Sequence, residues 1–133
     1  LGRIEEGMKR REEIWARYDE AFAQLPIKTP VPPAPNTRHA RHLYTLLINE
    51  QDAGLSRDAF LEAMAARKIG VGVHYRSVPE HSYYQERFGW RPEQWPNAYA
   101  IGRSTVSVPL SANITDAEAE DVVVAVRDAL RQR

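Results

Sequence analysis

The chain has 133 residues, with 18 Lys+Arg against 18 Asp+Glu and a formal net charge of zero. That length makes one domain, able to bury roughly two-thirds of the surface its unfolded chain exposes, and the charge balance demands neither nucleic acid nor an acidic membrane surface. No apolar run approaches ~18 residues, so no transmembrane helix is expected, and the opening residues do not read as a signal peptide. With no cysteine, disulfides, thiolate nucleophiles and zinc–thiolate sites are excluded, and a cytoplasmic location is expected.

In chain order, Ile4, Met8, Trp15, Tyr18, Phe22 and Leu25 fall at steps of four, seven, three, four and three. This spacing predicts an amphipathic helix of more than five turns ending at Pro26, with Arg10, Glu12, Glu13, Arg17 and Glu20 on a solvated face. The chain opens at Leu1, without an initiator methionine, straight into this pattern, and so reads as a piece of a longer protein. Residues 29–36 hold four of the nine prolines and are expected to form a stiff, extended connection. Leu43–Ile48, LYTLLI, is apolar on both faces, as a central strand covered on both sides is. If helices cover one face of a small sheet, another domain or subunit is expected to cover the other.

Ser56 is expected to cap a helix through Lys68, with Phe60, Ala63 and Met64 buried and Arg67 and Lys68 marking its end before Gly70. Next, Val71, Val73 and Tyr75 alternate with Gly70, Gly72 and His74, a period of two that predicts a strand over 71–75. Pro79 stops it. Tyr84 and Phe88 fall at helical spacing before Gly89, and Pro96 opens a short helix reaching Ser104. Val106–Leu110 is a short strand containing Pro109, which suits an edge or a strand end. Thr115 with Glu118 forms a capping box, and Ala119, Val122, Val123, Val126 and Leu130 form one stripe of the last helix. The whole reads as a small α+β sandwich, its sheet mostly antiparallel and its helices on one face.

Chemistry is expected to concentrate between Ile69 and Tyr84, where the strand delivers Arg76, Ser77, Glu80 and His81 at its end. On a face otherwise made of glycine, the His74 imidazole can bond a phosphate, a sugar hydroxyl or a carboxylate. It can also be a half-buried histidine satisfied by a backbone carbonyl, as histidines without further context more often are. Arg76 projects to the same side if the strand continues, and a His-x-Arg pair suits an anion, although an arginine at a strand end is also commonplace. His39, His42, His74 and His81 do not form a metal signature. Gly70-x-Gly72 lacks the third glycine and the helix start of a dinucleotide fingerprint. Ser104, Ser107 and Ser111 sit in no nucleophile elbow. Tyr83, Tyr84, Trp90 and Trp95 can stack on a base, but large aromatics mostly serve to cover a core. The lysines are Lys9, Lys28 and Lys68, and none has the desolvated surroundings a Schiff base requires. The residues alone therefore present no complete catalytic apparatus. A free-standing binding or regulatory module, or an acid/base enzyme using His74 and Glu80, remains open at this point.

The opening RREEIWARYDEAF helix, HLYTLLI, SRDAFLEAMAARKIGVGVHYRSVPEHSYYQERF and WPNAYAIGRSTVSVPLSANITDAEAEDVVVAVRDAL together resemble the C-terminal small domain of the DegT/DnrJ/EryC1/StrS sugar aminotransferases. The resemblance covers essentially the whole chain. It implies that residues 1–133 are the small domain of an enzyme of the aspartate-aminotransferase fold, whose large domain binds pyridoxal phosphate (PLP) and lies outside this chain. In such enzymes PLP is held as a Schiff base on a large-domain lysine, takes an amino group from glutamate and passes it to a keto-sugar nucleotide. GLSRDAFLEAM, GVHYRS and YYQERF are similar to the members that make UDP-4-amino-4-deoxy-L-arabinose, which modifies lipid A and gives resistance to cationic peptides such as polymyxin. Carried over residue by residue, the resemblance implies that His74 and Arg76 help place the nucleotide-sugar and that Tyr75 backs them. Ser77-Val78-Pro79-Glu80 departs from the Pro- or Ala-rich versions of relatives, which leaves the sugar open. The expected partners are the large domain and, for the full-length enzyme, a second copy. The fragment is expected to be inactive alone, to expose an apolar patch and to self-associate.

Overall fold

The computed structural model describes residues 2–131. The elements run α1 (Ile4–Phe22), β1 (Tyr44–Leu47), α2 (Glu50–Ala53), α3 (Arg57–Ala66), α4 (Ser82–Phe88), α5 (Pro96–Ser104), β2 (Thr105–Val108) and α6 (Asp116–Arg131), with single 3-10 turns at Val78–Glu80 and Pro92–Gln94. This is the expected α+β class. β1 and β2 pair antiparallel, Tyr44 opposite Val108 and Leu46 opposite Val106. Isolated bridges extend the pair on both sides, Lys28 to Leu47 and Gly72 to Ser107.

Because facing residues of an antiparallel pair share a side, one face carries Tyr44, Leu46, Val106 and Val108. All four are buried in a single core with Trp15, Tyr18 and Phe22 of α1, Phe60 and Met64 of α3, and Val122, Val123 and Val126 of α6. The aromatic part is geometrically specific. Tyr44 meets Trp15, Tyr18 and Phe22 edge-on at centroid distances of 4.7, 5.1 and 6.0 Å, the arrangement ring quadrupoles favour. Each buried phenol has an acceptor: Tyr44 donates to Asp19 at 2.6 Å and Tyr18 to the carbonyl of Pro109 at 2.8 Å. The guanidinium of Arg41 lies 4.6 Å over the Trp15 ring.

The opposite face carries Thr45, Leu47, Thr105 and Ser107. Thr105 and Ser107 are buried within the chain itself, while Thr45 and Leu47 are half-buried. The hydroxyls of Thr45 and Ser107 lie 3.1 Å apart. The second face is therefore already covered over β2 and only partly open over β1.

Several expectations are corrected. The strand predicted over 71–75 is reduced to the bridge at Gly72, because two glycines weaken the segment and the chain turns away after it. α1 ends at Phe22, so Leu25 packs on the core from beyond the helix, and Ile14, missing from the predicted stripe, is buried. Arg10 and Arg17 are not simply solvated. Arg10 donates to the Ile114 carbonyl (2.7 Å) and lies 2.9 Å from the Asp116 carboxylate, and Arg17 donates to the Asp116 carbonyl (3.1 Å), so both hold the start of α6. α2, capped by Asn49 and ended by Gly54 in the left-handed region, was not foreseen. α3 stops at Ala66, with the left-handed position taken by Lys68 and not by Gly70. The predicted caps do form: the Ser56 hydroxyl accepts from Ala59 N–H at 3.2 Å, and Thr115 and Glu118 exchange bonds of 3.2 and 2.8 Å. Pro109 directly follows β2, at a strand end as expected. Tyr83, Tyr84, Trp90 and Trp95 are not core. They form a separate cluster in which Tyr84 stacks on Trp90 at 5.4 Å and Trp90 meets Trp95 at 4.9 Å, with Tyr83 and Trp95 exposed.

Leu46→Ala, at a fully buried site, is expected to lower the free energy of unfolding by about 2–5 kcal/mol in denaturant titration. Val31→Ala, exposed in the proline-rich connection, is expected to stay within about 0.5 kcal/mol. Burial pushes the Tyr18 phenol up to about 12, and burial together with the bond to Asp19 pushes Tyr44 higher still. Since the folded state holds these protons more tightly, their stabilisation is complete below the ordinary tyrosine value. It is lost as pH climbs from about 10 through the raised values. In absorbance titration of the six tyrosines, two are expected to ionise only with alkaline unfolding.

Candidate functional site

The segment after α3 is guided by backbone bonds. Gly72 N–H donates to the Ser107 carbonyl at 3.0 Å, and Ser107 N–H returns a bond to Gly72 at 2.7 Å. Two residues on, the His74 carbonyl accepts from the Thr105 hydroxyl at 3.3 Å. The peptide bond between His74 and Tyr75 is cis. The imidazole folds back over Gly72 so closely that a Cβ there would sit 2.6 Å from Cε1 of His74. The space left by the missing side chain of Gly72 is thus filled by the histidine itself.

His74 is half-buried and stands outside the hydrophobic core. Its Nδ1 is buried and has no hydrogen-bond partner among the described residues. Of the two readings open for this residue, the one with a backbone carbonyl satisfying Nδ1 is not what forms. A buried polar atom costs about 1–3 kcal/mol unless a water or a ligand group reaches it. Tyr75, 74% exposed as a residue, meets the imidazole edge-on at 5.0 Å. Arg76 does not continue a strand beside His74. Its side chain runs along the surface to Glu80, with Nε 3.9 Å from Oε1.

Glu80 and Ser77 organise this stretch. The Glu80 side chain is only 6% exposed, accepts from the Ser77 hydroxyl at 2.5 Å, and lies 3.9 Å from Arg103 as well as from Arg76. No hydrogen bond joins it to His74 among the described residues, so an acid/base pair of His74 and Glu80 is not assembled. Ser77 is buried because α5 comes against it: a Cβ on Gly102 would meet Ser77 N at 2.6 Å. Sequence reasoning missed this contact. The available signal was an isolated glycine inside the predicted 96–104 helix, a position that commonly marks close approach of another backbone.

Beside α5 lies a cleft of about 580 Å³, with Lys28, Leu47, Asn49, Arg57, Ile101 and Arg103 in its walls. Arg57 is already engaged, by the carbonyls of Gly102 (3.3 Å) and Thr105 (3.1 Å) and by Asp58 (2.6 Å). Lys9, Lys28 and Lys68 are all exposed, so none is desolvated as a Schiff-base lysine must be. The donor set of this chain does not fit PLP as a covalent cofactor site. No group of three or more metal-ligating side chains is present among the described residues. His39 accepts from the Arg41 N–H at 3.1 Å and packs edge-on against Trp15 at 5.4 Å. Among the described residues no helix is long and apolar enough to cross a membrane.

Comparison with known proteins agrees with this architecture. The spore coat polysaccharide biosynthesis protein SpsC of Bacillus subtilis is 40% identical over 98% of this chain, which spans 34% of that protein. The apo form of the putative sugar aminotransferase Spr1654 from Streptococcus pneumoniae superposes with a TM-score of 0.88 at 25% identity. The match covers 99% of this chain and 33% of Spr1654, and the PMP and PLP forms of Spr1654 match equally well. DesV of S. venezuelae, solved in complex with a ketimine intermediate, gives 0.84 at 28% identity over 100% of this chain and 34% of its own. The chain thus spans about a third of the length of these relatives. The family model for the DegT/DnrJ/EryC1/StrS aminotransferases matches residues 1–127, and the chain belongs to that family.

Proposed function

We propose that residues 1–133 are the C-terminal small domain of a PLP-dependent sugar-nucleotide aminotransferase, which moves an amino group from glutamate to a keto-sugar nucleotide. The substrate proposed is a UDP-4-keto-pentose in lipid A modification, a reading that rests on the GVHYRS and YYQERF segments. The observation that carries the general assignment is a family match along nearly the whole chain by a segment only a third as long as its relatives. The exposed lysines are consistent with it: the coenzyme and its lysine belong to a large domain, and the isolated chain is inactive.

Within that enzyme the unpartnered, half-buried His74 is the residue this domain offers to the sugar-nucleotide, with Tyr75 backing the imidazole and Arg76 supplying positive charge. An imidazole locked against Gly72 binds and orients without a reorganisation cost when the substrate arrives. The exposed apolar side chains of Tyr75, Val78, Tyr83, Phe88 and Ile101 suit a surface that docks on the large domain and on a second copy in a homodimer.

The test is made on the full-length polypeptide carrying this segment. Glutamate-dependent amination of a UDP-4-keto-pentose is expected, together with the visible absorption of bound PLP. The 133-residue chain should give neither. His74→Asn is expected to raise KM for the sugar-nucleotide about tenfold, as loss of one substrate hydrogen bond in a water-poor site implies, while the PLP absorption stays unchanged. A full-length polypeptide that binds no PLP would defeat the assignment. A His74→Asn enzyme with unaltered KM would remove the histidine from the site. The self-association expected of the isolated chain is read by sedimentation and by binding of a hydrophobic dye, and a strict monomer without dye binding would contradict the docking surface.

A further inference from the structure

Two guanidinium groups in this molecule lean on one carboxylate and make no hydrogen bond to anything else among the described residues. Arg76 Nε and Arg103 Nη1 each lie 3.9 Å from Oε1 of Glu80, so they are no further from one another than about twice that distance. Both side chains are more than half exposed, whereas the Glu80 carboxylate is almost wholly covered and tied down by Ser77. At 3.9 Å neither pairing reaches the 2.7–2.9 Å of a charge-assisted hydrogen bond. The forks of both arginines are therefore largely unspent, and the trio carries one net positive charge. Holding both side chains near one buried anchor also lowers the entropy cost of gathering them around a ligand.

We infer that Arg76 and Arg103 together form an anion subsite that receives the diphosphate of a nucleotide-sugar. Planar guanidinium forks match phosphate oxygens in bidentate fashion, and two of them side by side match a group with two phosphates. Arg103 also forms part of the wall of the 580 Å³ cleft, where Leu47 and Ile101 offer apolar surface and Asn49 a polar group. A diphosphate held by Arg103 thus sits at the edge of a space in the size range of small-molecule sites. Choosing a nucleotide diphosphate over another phosphate ester rests on the function proposed above. The presence of an anion subsite does not.

The test titrates the chain itself with inorganic pyrophosphate, UDP and PLP by calorimetry, in the wild type and in Arg76→Gln, Arg103→Gln and Arg131→Gln. The first two side chains are more than half exposed, and Arg131, at the exposed end of α6, is the control for general electrostatic attraction. Saturable binding of pyrophosphate and UDP is expected, weakened about tenfold by Arg76→Gln and by Arg103→Gln, as loss of one charge-assisted bond implies, and unchanged by Arg131→Gln. Absence of saturable binding, or equal weakening by all three substitutions, would overturn the subsite. Tighter binding of PLP than of UDP would overturn its assignment to the nucleotide. Neither failure touches the aminotransferase reading, which is decided by amino transfer and PLP absorption in the full-length polypeptide.

Discussion

The hydrogen bond from Tyr44 to Asp19, set inside a collar of Trp15, Tyr18 and Phe22, is the constraint on which the remainder of the molecule depends. It joins the first helix to the first strand, which are separated in sequence by the proline-rich connection. A bond to a carboxylate is worth more than one between neutral groups, and although Asp19 itself is exposed, the donor phenol is held by the packed rings around it. With β1 fixed to α1, β2 is fixed by pairing, and the carbonyl of Pro109 just past β2 is captured in turn by Tyr18. The Gly72 bridge to Ser107, and everything that follows it toward His74, hangs from β2. Site geometry at one edge of the molecule is thus inherited from aromatic packing on the other face of the sheet.

Where the sequence patterns were strong, the fold was legible. The Pro96–Ser104 helix, the Ser56 cap and the Thr115–Glu118 box all form, because each is determined by chemistry within a few residues. The errors arose where distant parts decide. Period-two alternation over 71–75 describes which way side chains point, but a strand also needs a neighbour, and only Gly72 finds one. Residue type alone predicts a core role for the Tyr83–Trp95 aromatics. They are too far along a separate stretch of short helices to reach α1, and they stack on each other.

For the candidate site, an imidazole among glycines marks His74 and, two residues on, Arg76, while Tyr75 enters through the resemblance alone. Periodicity cannot reveal that the glycine at 72 makes room for the histidine itself. Nor could it reveal Glu80 as the shared anchor of two arginines 27 residues apart in sequence. Such relations are set by how α5 lies against the 77–80 turn, and no local pattern encodes that.

The approach of Gly102 to Ser77 leaves no room for even one methyl group between the two backbones. Arg103 and Arg76, each next in sequence to one of these residues, are consequently spaced by main chain and not by adjustable side-chain packing. A descendant of this protein that needed to accept a larger or smaller anion could not do so by letting α5 drift. It would have to change the arginines themselves, in length or in charge, against a ruler whose marks do not move.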